Sequence, residues 1–356
     1  MSYKATVDLT ADILTKNDDW REAFLRYATN IKNATGVYSA AADILKCHLP
    51  PEMGLLRIYS SIQLVQKSIQ RVEKCAFFDL RILGQSVGGL TVNKDKLFLT
   101  VTKDQQENNK DHLHIETRAN PSRKPYLWDT KEAKEIIKTF VEYNGKGADL
   151  RSEEHKYESL ILYDLVQTSS KNKHITYCRP VMLGEYGFFQ MRTALGASNH
   201  KPIYSMNSVY NKATGGGIDI LARIKHKDGS WRLAVMELKD DNKAAESQPV
   251  VMTQAMIYAT FIGYLLRDEK CGKLWWNIFR NKKEDETKVK PHLDIDVITV
   301  MPPDKTGKLS ESKFEEIHIP GIDNVTLHPY SLYVDVDFKK SIIKGISGSL
   351  CKVKKQ

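Results

Sequence analysis

The sequence predicts an α/β protein, in which a mixed β-sheet core is flanked by helices and preceded by a small α+β domain. Three observations lead to this fold class. Two strand-like arms flank an Asp-Gly turn between residues 218 and 239, a long apolar helical pattern begins at Pro249, and a further strand pattern covers residues 293–300. Strands that alternate with long helical segments are typical of sheets covered by helices.

Composition narrows the class of protein. The 356 residues suggest two domains, which we place at residues 1–147 and 148–356. The net charge of +9 suits a polyanionic partner such as DNA or RNA. The five cysteines are scattered without a C-x-x-C pair, which favours a reducing, cytoplasmic compartment and argues against a zinc site. We expect neither a signal peptide nor an apolar run long enough to span a membrane.

The N-terminal domain begins with helical patterns and continues with strands. Helices are predicted from Asp18 through Ile31, over 39–49 up to Pro50-Pro51, and over 55–73. Strands follow over 77–83, 89–92, 96–102 and 112–117, and a helix over 130–143. No catalytic constellation is present here, so target recognition, formation of a homodimer and sensing all stay open as roles.

The second domain is predicted to begin in the stretch 145–152. Ser152 is a suitable helix N-cap, and the helix runs to about Gln167 with a buried stripe of Tyr157, Ile161 and Leu165. A strand is predicted over 174–181, and further strands or an insertion over 184–206. After Pro249, the apolar side chains of the long helix are expected to pack on the sheet. Residues 274–279 are predicted to be core, and strands are predicted over 293–300, 314–319 and 332–336.

The segment 215–239 is predicted to be a β-hairpin whose register concentrates charge. Its arms run from Ile218 to about Ile224 and from Trp231 to Lys239, with Asp228-Gly229 in the turn. A turn centred near Asp228 places Asp219 opposite Glu237, with Cβ atoms about 5 Å apart. Glu237 and Lys239 share a face because side chains alternate along a strand. Two carboxylates this close repel, and a hard cation such as Mg²⁺ between them would offset the repulsion.

Asp219, Glu237 and Lys239, the last two in Glu-Leu-Lys, resemble the motif of the PD-(D/E)xK nuclease superfamily. Gly-Gly-Gly-Ile-Asp-Ile at 215–220 is similar to the form found in Mrr-type restriction endonucleases. Gln254 and Tyr258 are similar to the Q-x-x-x-Y motif of RecB-type and λ-exonuclease-type members. The resemblance covers about residues 151–300. It implies a restriction-endonuclease-like core and a metal-dependent deoxyribonuclease, with an endonuclease or exonuclease mode left open.

The resemblance also implies roles for individual residues. Asp219, Glu237 and the Leu238 carbonyl would hold Mg²⁺ or Mn²⁺, and Lys239 would orient or activate water. Gln254 and Tyr258 would position a nucleic-acid strand or the lysine. Members of the superfamily often complete the metal shell with a glutamate from the preceding helix, for which Glu158 is the first candidate and Glu154 and Glu185 are competitors. By analogy, the setting would be restriction, phage defence or repair.

Two other function classes stay open from the sequence. The same fold can serve as a non-catalytic nucleic-acid-binding or regulatory module, and a structural α/β protein could carry the acid cluster by coincidence. Gly215-Gly216-Gly217 suits close approach of the backbone to another backbone segment or to a phosphate. The loop residues Asn199, His200 and Lys201 are weaker candidates for a phosphate contact.

Overall fold

The structure is a computed structural model that describes residues 2–49, 56–60, 74–82, 85–101, 125–143, 153–166, 173–183, 187–197, 200–207, 212–239, 247–280, 289–303, 315–340 and 342–352. The predicted strand over 112–117, the predicted boundary near 147, Glu185 and Asn199 lie outside these residues. The boundary between two domains therefore stays a prediction.

The described residues form an α/β protein with seven helices. In chain order these are α1 (Tyr3–Lys16), α2 (Asp19–His48), α3 (Lys131–Tyr143), α4 (Glu153–Val166), α5 (Gln248–Arg267), α6 (Gly272–Phe279) and α7 (Ser349–Lys352). α2 is continuous where two helices were predicted, because Gly36 interrupts the pattern weakly and no proline does. It ends just before Pro50, with Leu49 in an extended conformation, as is usual for a residue that precedes proline.

An antiparallel sheet of five strands lies in the N-terminal half. Its strands follow the chain order: β1 (Leu56–Ser60), β2 (Cys75–Ile82), β3 (Gln85–Asn93), β4 (Lys96–Thr100) and β5 (Tyr126–Leu127). The predicted hairpin between β3 and β4 is present, with Asn93 opposite Lys96. Lys94 in its turn has a φ of 55°, in the left-handed region that tight two-residue turns require.

The prediction of a helix over residues 55–73 is wrong for residues 56–60. These residues form β1, which pairs with β2, and Ser60 and Ile58 also exchange backbone hydrogen bonds with Phe188. All five side chains of β1 are buried. Burial on both faces and a complete set of backbone partners outweigh the helical spacing of the apolar residues.

The second sheet is mixed and carries the hairpin. The strands between the two sheets and in the second sheet are β6 (Cys178–Pro180), β7 (Leu195–Gly196), β8 (Ile203–Tyr204), β9 (Met206–Asn207), β10 (Lys212–Ala213), β11 (Ile220–Lys225), β12 (Trp231–Leu238), β13 (Leu293–Met301), β14 (Ile317–His318), β15 (Val325–Asp337) and β16 (Ile342–Ser347). The order is β14-β15-β13-β12-β11-β6, with β16 also paired to β15. β12, β13 and β15 are parallel neighbours, whereas β11 is antiparallel to both β12 and β6. β7 pairs with β8, and β9 with β10, as separate short ladders.

Helices cover both faces of the mixed sheet. Val235 and Val297 belong to one apolar cluster with the buried side chains of α5. Ala234, Met236 and Ile298 point to the other face, where they share a cluster with Tyr157, Ile161 and Leu165 of α4. β12 is thus buried on both sides. α5 is long and apolar enough to span a membrane by length and composition, contrary to the expectation from sequence, but almost all of its side chains are buried in the core.

Aromatic packing joins helix α2 to helices α5 and α6. The ring centroids of Phe24 and Phe261 are 4.8 Å apart, and Trp20 lies 5.5 Å from Phe261. The Trp275 indole N–H donates to the Phe24 carbonyl over 3.0 Å. Segment 274–279 is therefore helical core, and one apolar cluster contains residues from both halves of the chain.

Candidate active site at the end of the hairpin

The hairpin has the predicted register. Ile220 pairs with Met236 and Lys225 with Trp231, so Asp219 follows in line opposite Glu237. The turn is closed by a hydrogen bond from the His226 amide to the Ser230 carbonyl, with Gly229 at a φ of +83°. Glycine tolerates this left-handed conformation without the steric cost of a side chain. The turn therefore fixes the pairing that brings the acidic residues together.

Asp219 lies where the regular ladder stops. Its Oδ2 accepts a hydrogen bond from the Leu238 amide over 2.8 Å. The side chain thus satisfies the amide that regular pairing beyond Ile220 would occupy, which explains why β11 starts at Ile220 and not at Ile218. This bond holds the Asp219 carboxylate at Leu238, the residue between Glu237 and Lys239 at the end of β12.

Asp219 is in an environment that disfavours its charge. Burial and then the nearby charge of Glu158 raise the pKa of Asp219 to about 7, and Glu154 adds to this. The Leu238 amide and Lys239 lower the pKa but do not cancel the rise. A carboxyl group whose ionised form is disfavoured by burial and by neighbouring acids occurs both in functional sites and in structural ion networks.

Lys239 is tied to helix α4. Its Nζ donates to Glu154 Oε1 over 2.8 Å. Burial lowers the pKa of Lys239, but the hydrogen bond to Glu154 and the charges of Glu237, Glu154 and Asp219 outweigh it, so that the pKa is raised. The ammonium therefore keeps its proton at neutral pH and acts as a fixed positive charge among the acids.

The two helical glutamates have different partners. Glu158 is buried and accepts a hydrogen bond from the Tyr59 hydroxyl over 2.8 Å, whereas Glu154, one turn earlier, binds Lys239. Glu158 is also the charge with the largest effect on the pKa of Asp219. The arrangement keeps Glu158 as the candidate that faces Asp219 and gives Glu154 a role in holding the lysine.

Helix α5 brings Tyr258 to the acids. Burial first, and then the charges of Glu237 and Asp219, raise the pKa of the Tyr258 hydroxyl, which therefore stays protonated. This hydroxyl lies against Gly216, where a Cβ atom would approach the hydroxyl oxygen to 1.8 Å. At Gly215, a Cβ would meet the Leu195 carbonyl oxygen at 2.4 Å. Both glycines are thus required by close packing of the protein against itself.

Gln254 lies one turn before Tyr258 and points to a different neighbour. Its Nε2 is 3.4 Å from Nδ1 of His200, a residue with a positive φ of 58°. Gln254 is buried. The Q-x-x-x-Y pair therefore connects the acid cluster, through Tyr258, with the 200–201 loop, through Gln254.

Tyr59 is a site residue that the sequence did not reveal. Its hydroxyl holds Glu158, and the guanidinium of Arg81 lies 4.3 Å from the centre of its ring. The spacing of residues 55–73 predicted a helix, and no motif marks Tyr59. Only the pairing of β1 with β2 and the approach of α4 bring it to the site.

The donor set suits a hydrated divalent cation. Among the described residues, no group of three or more His, Cys, Asp or Glu side chains is arranged to enclose a metal ion. Mg²⁺ commonly keeps several waters and uses only one or two carboxylates. Asp219 and Glu237, with the Leu238 carbonyl beside them, fit this requirement in donor type. A cation there would also favour the ionised form of Asp219, which the protein alone disfavours.

Comparison of the chain with protein-family models, curated proteins and solved structures gives no match.

Proposed function

We propose that this protein is a metal-dependent deoxyribonuclease with a restriction-endonuclease-like core. The observation that carries the proposal is the hairpin register, which sets Asp219 opposite Glu237 and beside Lys239. The order of elements also supports it, because α4 precedes the hairpin, α5 follows it and β13 then pairs in parallel with β12. The resemblance to the PD-(D/E)xK superfamily rests on these same elements.

Asp219, Glu237 and the Leu238 carbonyl would hold Mg²⁺ or Mn²⁺. When bound, such an ion lowers the pKa of a coordinated water and offsets negative charge on the phosphate. The buried position of Glu237 reduces competition from bulk water, which strengthens its interaction with a cation. Glu158 would contribute through the same shell, with its orientation fixed by Tyr59.

Lys239 would stabilise the negative charge that develops on the phosphate. Because its pKa is raised, it is suited to donate a hydrogen bond and to orient water, and poorly suited to remove a proton. The Glu154 carboxylate holds Nζ in place, so that little reorganisation accompanies the reaction. Tyr258 would donate a hydrogen bond from its protonated hydroxyl. Gln254 and His200 would contact the nucleic-acid strand that enters the site.

A cleavage panel tests the proposal. Purified protein is incubated with linear, circular and single-stranded DNA and with RNA, in Mg²⁺, Mn²⁺ or EDTA. We expect cleavage of DNA only with a divalent cation, and loss of cleavage in Lys239→Ala. Lys225→Ala is the matched control, because Lys225 is an exposed lysine in the same hairpin. Cleavage of circular DNA would indicate an endonuclease.

Two outcomes would count against the proposal. Full cleavage by folded Lys239→Ala would remove the lysine from the mechanism. Tight binding of DNA by the wild type without cleavage in any metal would favour a non-catalytic nucleic-acid-binding module. If cleavage is found, we propose a cytoplasmic role in restriction, phage defence or repair.

A further inference from the structure

A cavity of about 900 Å³ lies between α2, the edge strand β6 and α6, apart from the acid cluster. Its volume is at the upper end of the range of about 300–1,000 Å³ that is typical of small-molecule sites. We propose that this cavity binds a small phosphate-bearing ligand of nucleotide size. This inference goes beyond the proposed nuclease activity and does not depend on it.

The charge of the cavity points to an anion. Five cationic side chains line it, whereas none of its described lining residues is acidic; the cations are Lys32, Arg179, Arg223, Lys273 and Arg280. A concave surface with one sign of charge concentrates ligands of the opposite sign. Arginine and lysine are the residues that proteins use most to bind phosphate groups.

Two of the arginines are held in place before any ligand binds. The Arg223 side chain is buried, and its Nη1 donates to the Phe279 carbonyl over 2.7 Å. The guanidinium of Arg179 lies 5.0 Å from the centre of the Trp231 ring. Such contacts reduce the side-chain entropy that a phosphate contact would otherwise cost. The lysines at positions 32 and 273 are exposed and accessible from solvent.

The remaining lining suits a nucleoside better than a bare phosphate. Thr35, Ser39 and Asn277 provide hydrogen-bonding groups, and Leu274 and Ile278 provide apolar surface. A single phosphate would use only a small part of this volume. Enclosure by two helices and a strand favours a compact ligand over a long nucleic-acid strand.

The cavity and the gap beside Asp219 share two bordering residues. Val181 and Pro180 line the cavity, and they also border the small gap next to Asp219. Asp219 borders this gap but does not line the cavity. Binding of a ligand in the cavity should not require Glu237.

Calorimetric titration of the full chain with ATP and with pyrophosphate, in EDTA, tests the proposal. EDTA removes the cation that could attract phosphates to the acid cluster. We expect ATP to bind with a Kd of about 100 μM or tighter, and Arg179→Ala and Lys273→Ala each to weaken binding about tenfold. Lys270→Ala is the matched control, because Lys270 is exposed near the start of α6 but does not line the cavity. Glu237→Gln should bind like the wild type.

Three results would overturn the proposal. One is the absence of binding by ATP and pyrophosphate at millimolar concentration in the folded wild type. Another is an equal loss of affinity in Lys270→Ala and Lys273→Ala. The third is binding of a 12-nucleotide single-stranded DNA through Arg179 and Lys273 when ATP does not bind, which would make the cavity part of a nucleic-acid path.

Discussion

Both ends of the mixed sheet contain buried acidic side chains, but only at one end do basic side chains balance their negative charge. At the turn end, Asp296 is fully buried and its Oδ2 is 2.7 Å from His226 Nε2, with Arg232 3.8 Å from the other oxygen. At the opposite end, the charges of Glu158 and Glu154 act on Asp219, and Asp219 shares Lys239 with Glu154 and Glu237.

The pKa values of two aspartates show the difference. Burial raises the pKa of Asp294, but His328, Arg232 and His292 outweigh it, so that the pKa is lowered. Burial and Glu158 raise the pKa of Asp219 to about 7. The first environment is that of a structural ion network, whereas in the second the positive charge of Lys239 does not offset burial and the neighbouring acids. We therefore expect the end with Asp219, and not the turn end, to bind a cation.

Replacing one carboxylate at each end of the mixed sheet should distinguish an effect on cleavage from an effect on stability. Under the proposed function, Glu237→Gln keeps the shape but removes the charge, and DNA cleavage should fall at least about 1,000-fold. Asp294→Asn, at the turn end, should retain cleavage within about threefold at a temperature where it is folded. Rates are measured on the DNA that the wild type cleaves best. Equal losses in the two variants would show that the two ends do not differ in function.

Loss of a paired acid should cost more stability than loss of an unbalanced one. Asp296→Ala would leave His226 without this carboxylate and Arg232 with Asp294 as its remaining acid, and we expect the free energy of unfolding to fall by about 3–5 kcal/mol. Urea denaturation measures this change. If Asp296→Ala were as stable as the wild type, the turn end would not be the structural network described here.

Asp219→Asn should stabilise the metal-free protein at high pH. Because the pKa rises from 3.8 to about 7 on folding, the native state holds a proton that the unfolded chain releases. The free energy of unfolding therefore falls as pH rises through this interval. The variant lacks this loss and should be more stable than the wild type by about 1–3 kcal/mol at pH 8, and similar to it at pH 3.

Denaturation of the wild type and Asp219→Asn in EDTA, at pH 3 and at pH 8, measures this difference in stability. Added Mn²⁺ should then stabilise the wild type more than the variant, because the ion binds only the native site. A variant that is less stable than the wild type at pH 8 would contradict the raised pKa.

The smallest expected effect is that of Tyr59→Phe. This change removes the hydroxyl that binds Glu158 and leaves the ring that Arg81 covers. We expect a loss of about 0.5–1.5 kcal/mol in stability and a reduction of cleavage by less than about tenfold. Tyr163→Phe serves as control, because Tyr163 is exposed on the same helix as Glu158. An unchanged cleavage rate would show that the Tyr59 hydroxyl has no role in cleavage, but it would not affect the difference between the two ends of the sheet.

Local rules predicted the register of the hairpin well. The Asp228-Gly229 turn determines this register, and continuing it by one residue places Asp219 opposite Glu237. Helix α5 and strand β13 were likewise predictable, because a proline start and long apolar patterns mark them.

Contacts between distant segments could not be predicted in the same way. Residues 56–60 follow a helical pattern but pair with β2, and so Tyr59 was not assigned to the site. The preference of Lys239 for Glu154 depends on how α4 docks against the end of β12, which no spacing in the chain specifies. Gln254 and Tyr258 share a motif, but the surrounding loops decide that one meets His200 and the other the acids.

Diffraction from crystals soaked in Mn²⁺, recorded for its anomalous signal, tests the central claim most directly. We expect one strong peak between the carboxylates of Asp219 and Glu237 and none beside Asp294 or Asp296, with the peak lost in Glu237→Gln crystals. A peak at the turn end alone, or no peak at either end, would contradict the assignment of a cation site to the Asp219 end of the sheet.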